Sequence, residues 1–184
     1  MTFANWLTVG RILLIPVFVM FLAYYEPGND KYRLIAAGIF LLASVTDALD
    51  GFIARHWNQK SSLGSLLDPL ADKLLILAGF LTVFFSHDFP MKPPIWVMIA
   101  VVSRDITIVV GLLVLFLSTG TVKIQPNFLG KVTTVFQMAT LSSILLLLSF
   151  SPILWYITAA LTIVSGIFYV IREGKKINGH STSP

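Results

Sequence analysis

The chain has 184 residues, 56% of them hydrophobic and 12% charged, with a mean hydropathy of +0.84. Soluble domains carry about 25% charged residues, so an aqueous globular protein is excluded. The net charge of +4 is too small for a nucleic-acid binder, and the lack of cysteine excludes disulfides, thiolate metal sites and cysteine nucleophiles.

Six apolar blocks, separated by turn chemistry, run over residues 5–25, 32–55, 67–86, 94–118, 127–149 and 152–172. At about 20 apolar residues per crossing, they predict an all-α integral membrane protein with six transmembrane helices. Within the first block the apolar stretch Ile12 to Tyr25 follows a single Arg11 and lacks a small-x-small cleavage pattern, so it reads as a retained span. Pro27-Gly28-Asn29-Asp30 turns the chain into the second block, which ends with Asp47 and Asp50. A loop is expected at 56–64, after which the third block opens with Asp68 and Asp72. Pro69 fits the first turn of that helix, where its missing N–H costs nothing. The fourth block carries Arg104-Asp105; adjacent residues on a helix point about 100° apart, so these two need not pair with each other. The break Ser149-Phe150-Ser151-Pro152 is short enough to make the last two helices an antiparallel hairpin. Residues 1–172 form one membrane domain, and 173–184 a polar tail expected to fray. His56, His87 and His180 fall in loops or the tail, and Trp6, Trp57, Trp96 and Trp155 lie near block ends as interfacial anchors.

An even number of spans puts both termini on one side. That side takes Arg11, Arg55, Lys60, Lys73, Lys123, Lys131, Arg172, Lys175 and Lys176, nine cations against three (Lys31, Arg33 and Lys92) opposite. The bias makes the termini and the 56–64 loop cytoplasmic.

The four aspartates are the anomaly, because a carboxylate near the bilayer centre costs about 2.5–3.5 kcal/mol on insertion scales. Asp47 and Asp50 are spaced i, i+3 and Asp68 and Asp72 i, i+4, so each pair shares a helix face. Antiparallel neighbours joined by a short loop bring the two faces to one depth. Such carboxylates stay ionised together only with a cation between them. All-oxygen donors suit Mg²⁺, Mn²⁺ or Ca²⁺, and two ions about 3.5–4 Å apart would serve phosphoryl chemistry. One such Asp is as readily a helix cap; four at paired spacings are not. Gly51, Ala54 and Gly64 keep bulk away from the acids, and Arg55 supplies a guanidinium suited to phosphate. A transporter would show inverted repeats and mid-membrane charge, and a structural scaffold would have no use for the acids.

Together these residues spell D-x2-D-G-x2-A-R-x8-G-x3-D-x3-D without a departure, at Asp47, Asp50, Gly51, Ala54, Arg55, Gly64, Asp68 and Asp72. The pattern resembles the signature of the CDP-alcohol phosphotransferases, membrane enzymes of phospholipid synthesis. The resemblance implies their six-helix fold, a homodimer, and a site open to the cytoplasm of a bacterial inner membrane. It implies two Mg²⁺ or Mn²⁺ ions held by Asp47, Asp50, Asp68 and Asp72, with Asp72 also the general base. It places Gly51, Ala54, Arg55 and Gly64 at the CDP group of CDP-diacylglycerol, whose phosphatidyl group passes to an alcohol with release of CMP.

The segments Asn5–Arg11 and Ser65–Lys73 resemble the branch that makes phosphatidylglycerophosphate or cardiolipin. Phosphatidylglycerophosphate synthases typically show Arg-Glu and a further Arg in span four, then G-K-x-K-T. Here stand Arg104-Asp105, Leu112 and Gly130-Lys131-Val132-Thr133-Thr134, two cations short. That shortfall, and the resemblance of Arg104-Asp105 and Pro126…Lys131-Val132-x-Thr134 to cardiolipin synthases, leans the expected acceptor toward the lipid phosphatidylglycerol, with glycerol-3-phosphate as the alternative. Arg104 and Lys131 are the expected acceptor-phosphate residues.

Overall fold

In the computed structural model, which describes residues 3–57, 62–119 and 128–180, each apolar block is a helix. They are α1 (Phe3–Ala23), α2 (Asp30–Trp57), α3 (Ser62–Phe85), α4 (Ile95–Thr119), α5 (Phe128–Leu145) and α6 (Ser151–His180). The side chains at 3–7, 47–57, 62–69, 112, 115–116, 118–119 and 169–180 lie outside the described residues. Among the described residues there is no strand, only an isolated bridge, Glu26 to Asn29, in the α1–α2 turn. Gly28 takes φ 93° there, the left-handed conformation that glycine adopts without a Cβ clash.

Several boundaries differ from the sequence reading. The third helix begins at Ser62, so Pro69 lies beyond its first turn. The last helix runs on to His180 through the segment expected to fray from 173. The fifth stops at Leu145, four residues early, because Leu147 adopts φ 53° and caps the helix. Its N–H donates to the Ile144 carbonyl, and that of Leu148 reaches back to Ser143 at 2.9 Å.

The helices close a ring in the order α1, α2, α5, α6, α4, α3, with α3 also touching α5 across it. One apolar cluster fills one end: Phe18 and Leu22 of α1, Phe40 of α2, Leu75, Ile76 and Phe80 of α3, Val97 and Val101 of α4, Leu141 and Ile144 of α5, and Ala159 of α6. These come from the C-terminal halves of α1, α3 and α5 and the N-terminal halves of α2, α4 and α6. The alternation is what an up-and-down bundle requires, and the buried Arg11, Lys73, Arg104 and Asp105 lie toward the other end. The outer surface is itself apolar, with Leu13, Leu42, Phe85 and Ile153 all well exposed. Polar inside and apolar outside is the reverse of a water-soluble bundle. By length and composition, Phe128–Leu145 and Ser151–Phe168 can each cross a membrane, and Thr8–Ala23 is a shorter apolar stretch. Of the expected anchors, Trp96 is exposed and stacks on Tyr156 at 5.8 Å, whereas Trp155 is buried in the core; Trp6 and Trp57 have side chains outside the described residues.

Gly79 marks the tightest packing. A Cβ there would collide with the Leu141 side chain and come within 3.2 Å of the Phe18 ring. Both neighbours are fully buried and have little room to yield. Gly79→Ala is therefore expected to lower stability by about 1–3 kcal/mol, read as a lower thermal midpoint in detergent. An unchanged midpoint would show that α1, α3 and α5 do not meet this closely.

Candidate functional site

The polar end is built from residues that break each helix's apolar pattern. The backbone is helical through 47–57 and through 62–72, so both aspartate pairs keep their helical spacing. The side chains of Asp47, Asp50, Gly51, Ala54, Arg55, Gly64 and Asp68 lie outside the described residues. Asp72 is described. Its Oδ1 accepts a 2.8 Å bond from Nη1 of Arg11, and the side chains are 22% and 3% exposed. An ion pair so shielded is stronger than a surface pair, and it ties α1 to the acidic segment of α3. Among the described residues no three of His, Cys, Asp or Glu converge on a metal position. Asp72 is the one motif carboxylate in that comparison.

Beside Asp72 the chain turns inward. Lys73, counted above as a cytoplasmic charge, is buried, with Nζ donating to Asp105 Oδ1 at 3.0 Å, Thr134 Oγ1 at 3.1 Å and Gln137 Oε1 at 3.2 Å. Asp105 is 1% exposed and takes two further donors, Arg104 Nη1 at 2.8 Å and Gln137 Nε2 on Oδ2 at 3.2 Å. Arg104 reaches α6 through Nη2, which donates to Ser165 Oγ at 3.2 Å. Arg104 and Asp105 thus do pair with each other. The 100° between their Cα–Cβ directions is bridged by the length of the arginine side chain. Taking the buried Lys73 and Arg11 out of the cytoplasmic count leaves the cationic bias pointing the same way.

This cluster joins α3, α4, α5 and α6, and its three charges, Lys73, Arg104 and Asp105, sum to +1. A net positive interior next to an acidic motif is an electrostatic seat for a phosphate-bearing substrate. The two expected acceptor cations separate here. Lys131 is exposed in the first turn of α5. Arg104 is buried with both amino nitrogens engaged and its Nε without a partner, and the residue helps line a groove of about 220 Å³ with Ala100, Ser103, Thr107 and Thr162. Sequence reasoning missed Gln137 and Ser165. Their signal was available, since polar residues inside apolar spans usually serve a partner or a site.

Position 133 explains one departure from the resembled pattern. Thr133 is fully buried, and its hydroxyl donates to Leu129 O at 2.7 Å and leans on Leu161 O of α6 at 3.4 Å. That position faces the contact of α5 with α6. Leu112, the other departure, has its side chain outside the described residues.

A sequence profile described as CDP-alcohol phosphatidyltransferase matches residues 1–165. A Bacillus subtilis protein named CDP-diacylglycerol–glycerol-3-phosphate 3-phosphatidyltransferase is 36% identical, over 92% of this chain and 93% of its own length. A Haemophilus influenzae protein of the same name is 38% identical, over 90% and 89% respectively. A human cardiolipin synthase (CMP-forming) is 35% identical over 91% of this chain, which spans only 60% of that relative's length.

Proposed function

Because the chain belongs to the CDP-alcohol phosphatidyltransferase family, we propose that it transfers the phosphatidyl group of CDP-diacylglycerol to glycerol-3-phosphate and releases CMP. The observation that carries the acceptor is the pair of bacterial relatives, matched over about nine-tenths of both chains, whose names specify glycerol-3-phosphate. The lean toward phosphatidylglycerol rested in part on missing cations, and one of those positions, Thr133, is buried at a helix contact. Phosphatidylglycerol stays as the second reading, favoured by the cardiolipin synthase match.

In this reading the six helices cross a bacterial inner membrane six times as a homodimer, with the motif and both termini cytoplasmic. Asp47, Asp50, Asp68 and Asp72 would hold two Mg²⁺ or Mn²⁺ ions. The donor set fits, being carboxylate without thiolate, and Asp72 is partly open rather than sealed. When bound, such ions withdraw charge from the diphosphate and stabilise departing CMP. Gly51, Ala54 and Gly64 leave room for the CDP group, and Arg55 pairs with its phosphate. Lys131, exposed near the start of α5, draws in the acceptor's phosphate, and the +1 cluster beneath adds its field. Direct acceptor contact passes from Arg104 to Lys131, since Arg104 is committed to Asp105 and Ser165. Asp72 takes the acceptor's hydroxyl proton as that oxygen bonds to the β-phosphorus and the bond to the CMP oxygen breaks. Arg11 holds Asp72 in place while this happens. A carboxylate is a weak base for an alcohol, so positioning supplies much of the rate.

Purified protein with CDP-diacylglycerol and glycerol-3-phosphate is expected to release CMP with Mg²⁺ or Mn²⁺ and to stop in EDTA. Turnover that persists in chelator contradicts the carboxylate–metal assignment. Turnover with neither acceptor contradicts the proposed reaction.

A further inference from the structure

We propose that Asp105 is a positioning residue for the transfer reaction, setting the rotation of α3 about its own axis through Lys73. The proposal rests on the reading of Asp72 as the reacting base. Asp72 and Lys73 are consecutive, and the same turn of α3 is gripped from two sides. Arg11 of α1 holds Asp72 at 2.8 Å, while Asp105 of α4 and Thr134 and Gln137 of α5 hold Lys73 at 3.0, 3.1 and 3.2 Å. Beyond this turn α3 packs through Leu75, Ile76, Phe80 and Val83. That packing, tightest at Gly79, holds the C-terminal part of α3, whereas the turn at Asp72 and Lys73 lies N-terminal to it and is held by polar contacts. Hydrogen bonds to a charged group are directional.

Asp105 is the hub of that restraint. Its two oxygens accept from Lys73, Arg104 and Gln137, and Arg104 extends the tie to Ser165 of α6. The azimuth of α3 is therefore referenced to α1, α4, α5 and α6 together. Positions 68 and 72 share one face of α3, so a rotation of some tens of degrees would displace both by about 2 Å. A misplacement of about 1 Å can cost 10²-fold in rate. The cluster thus acts on chemistry through geometry while touching no substrate.

The test is a charge-conserving double variant, Lys73→Met with Asp105→Asn. It keeps the cluster at +1 and leaves an amide to meet Arg104 and Gln137, yet removes the grip on Lys73. Thermal midpoint, CDP binding by calorimetry in Mg²⁺ buffer, kcat and KM for CDP-diacylglycerol are measured together, beside Asp105→Glu. The expected result is a preserved thermal transition and CDP stoichiometry, with kcat down at least about 10-fold and KM within about threefold. Asp105→Glu, which keeps the carboxylate, recovers part of the lost kcat. Wild-type kcat in the double variant overturns the proposal. So does loss of the thermal transition and CDP binding along with turnover, since the cluster is then only a structural tie. Asp72→Asn assayed alongside separates the two readings: full activity there removes the base assignment, while the double variant reports on positioning by itself.

Discussion

Replacing Asp72 by Asn is expected to cut turnover by about 10²–10⁴-fold, a far larger effect than on CDP-diacylglycerol binding, since the amide keeps a metal-binding oxygen. The amide keeps an oxygen of the same shape, so Arg11 retains an acceptor for its 2.8 Å bond. What disappears is a group able to take the acceptor's proton. The signature is therefore in kcat rather than KM, because the interaction removed belongs to the transition state. Asp50→Asn is the contrast: as a proposed metal ligand without the base role, it should weaken nucleotide binding as well as turnover. Near wild-type turnover for Asp72→Asn would refute the base assignment.

The largest expected effect on stability comes from Asp105→Ala. Asp105 is 1% exposed and is the shared carboxylate for Lys73 and Arg104, so its removal leaves two buried cations facing each other. Breaking a buried pair by deleting one partner costs about 3–5 kcal/mol, mostly the uncompensated charge left behind. The predicted result is a large fall in the unfolding midpoint in mild detergent, or failure to accumulate in the membrane. A variant that also replaces Lys73 with Met should recover much of the loss. A single variant as stable as the parent would mean that Lys73 and Arg104 reach water or other acceptors.

All six helices were legible in the sequence because apolar blocks separated by Pro, Gly and Ser leave little choice of element. Their ends were not. Nothing in the composition around Leu147 marks a left-handed cap, since glycine usually occupies that position, and so the fifth helix reads four residues too long. Pro69 suggested a helix start, but proline is tolerated further along a membrane helix where neighbours serve the freed carbonyl. The family was legible in the spacing of the acidic motif; of that motif's side chains only Asp72 is among the described residues. The polar cluster was not legible. Lys73 was assigned to the cytoplasmic face because a sequence shows charge but not depth. The Arg104–Asp105 bond was discounted because residue-to-residue angles ignore how far an arginine reaches. The partners of Lys73 lie 32, 61 and 64 positions away, separations that no local pattern reveals.

The two candidate acceptors differ in charge and in the phase they come from. Glycerol-3-phosphate arrives from water with nearly two negative charges, whereas phosphatidylglycerol arrives from the membrane with one. In the proposed reading, Lys131 and the +1 cluster favour the more highly charged of the two. The decisive measurement is a single reaction containing purified protein, CDP-diacylglycerol, Mg²⁺ and both acceptors at equal concentration, with the lipid products identified by mass. The expected product is phosphatidylglycerophosphate, formed in step with CMP. Cardiolipin as the main product, with glycerol-3-phosphate left unconsumed, would contradict it.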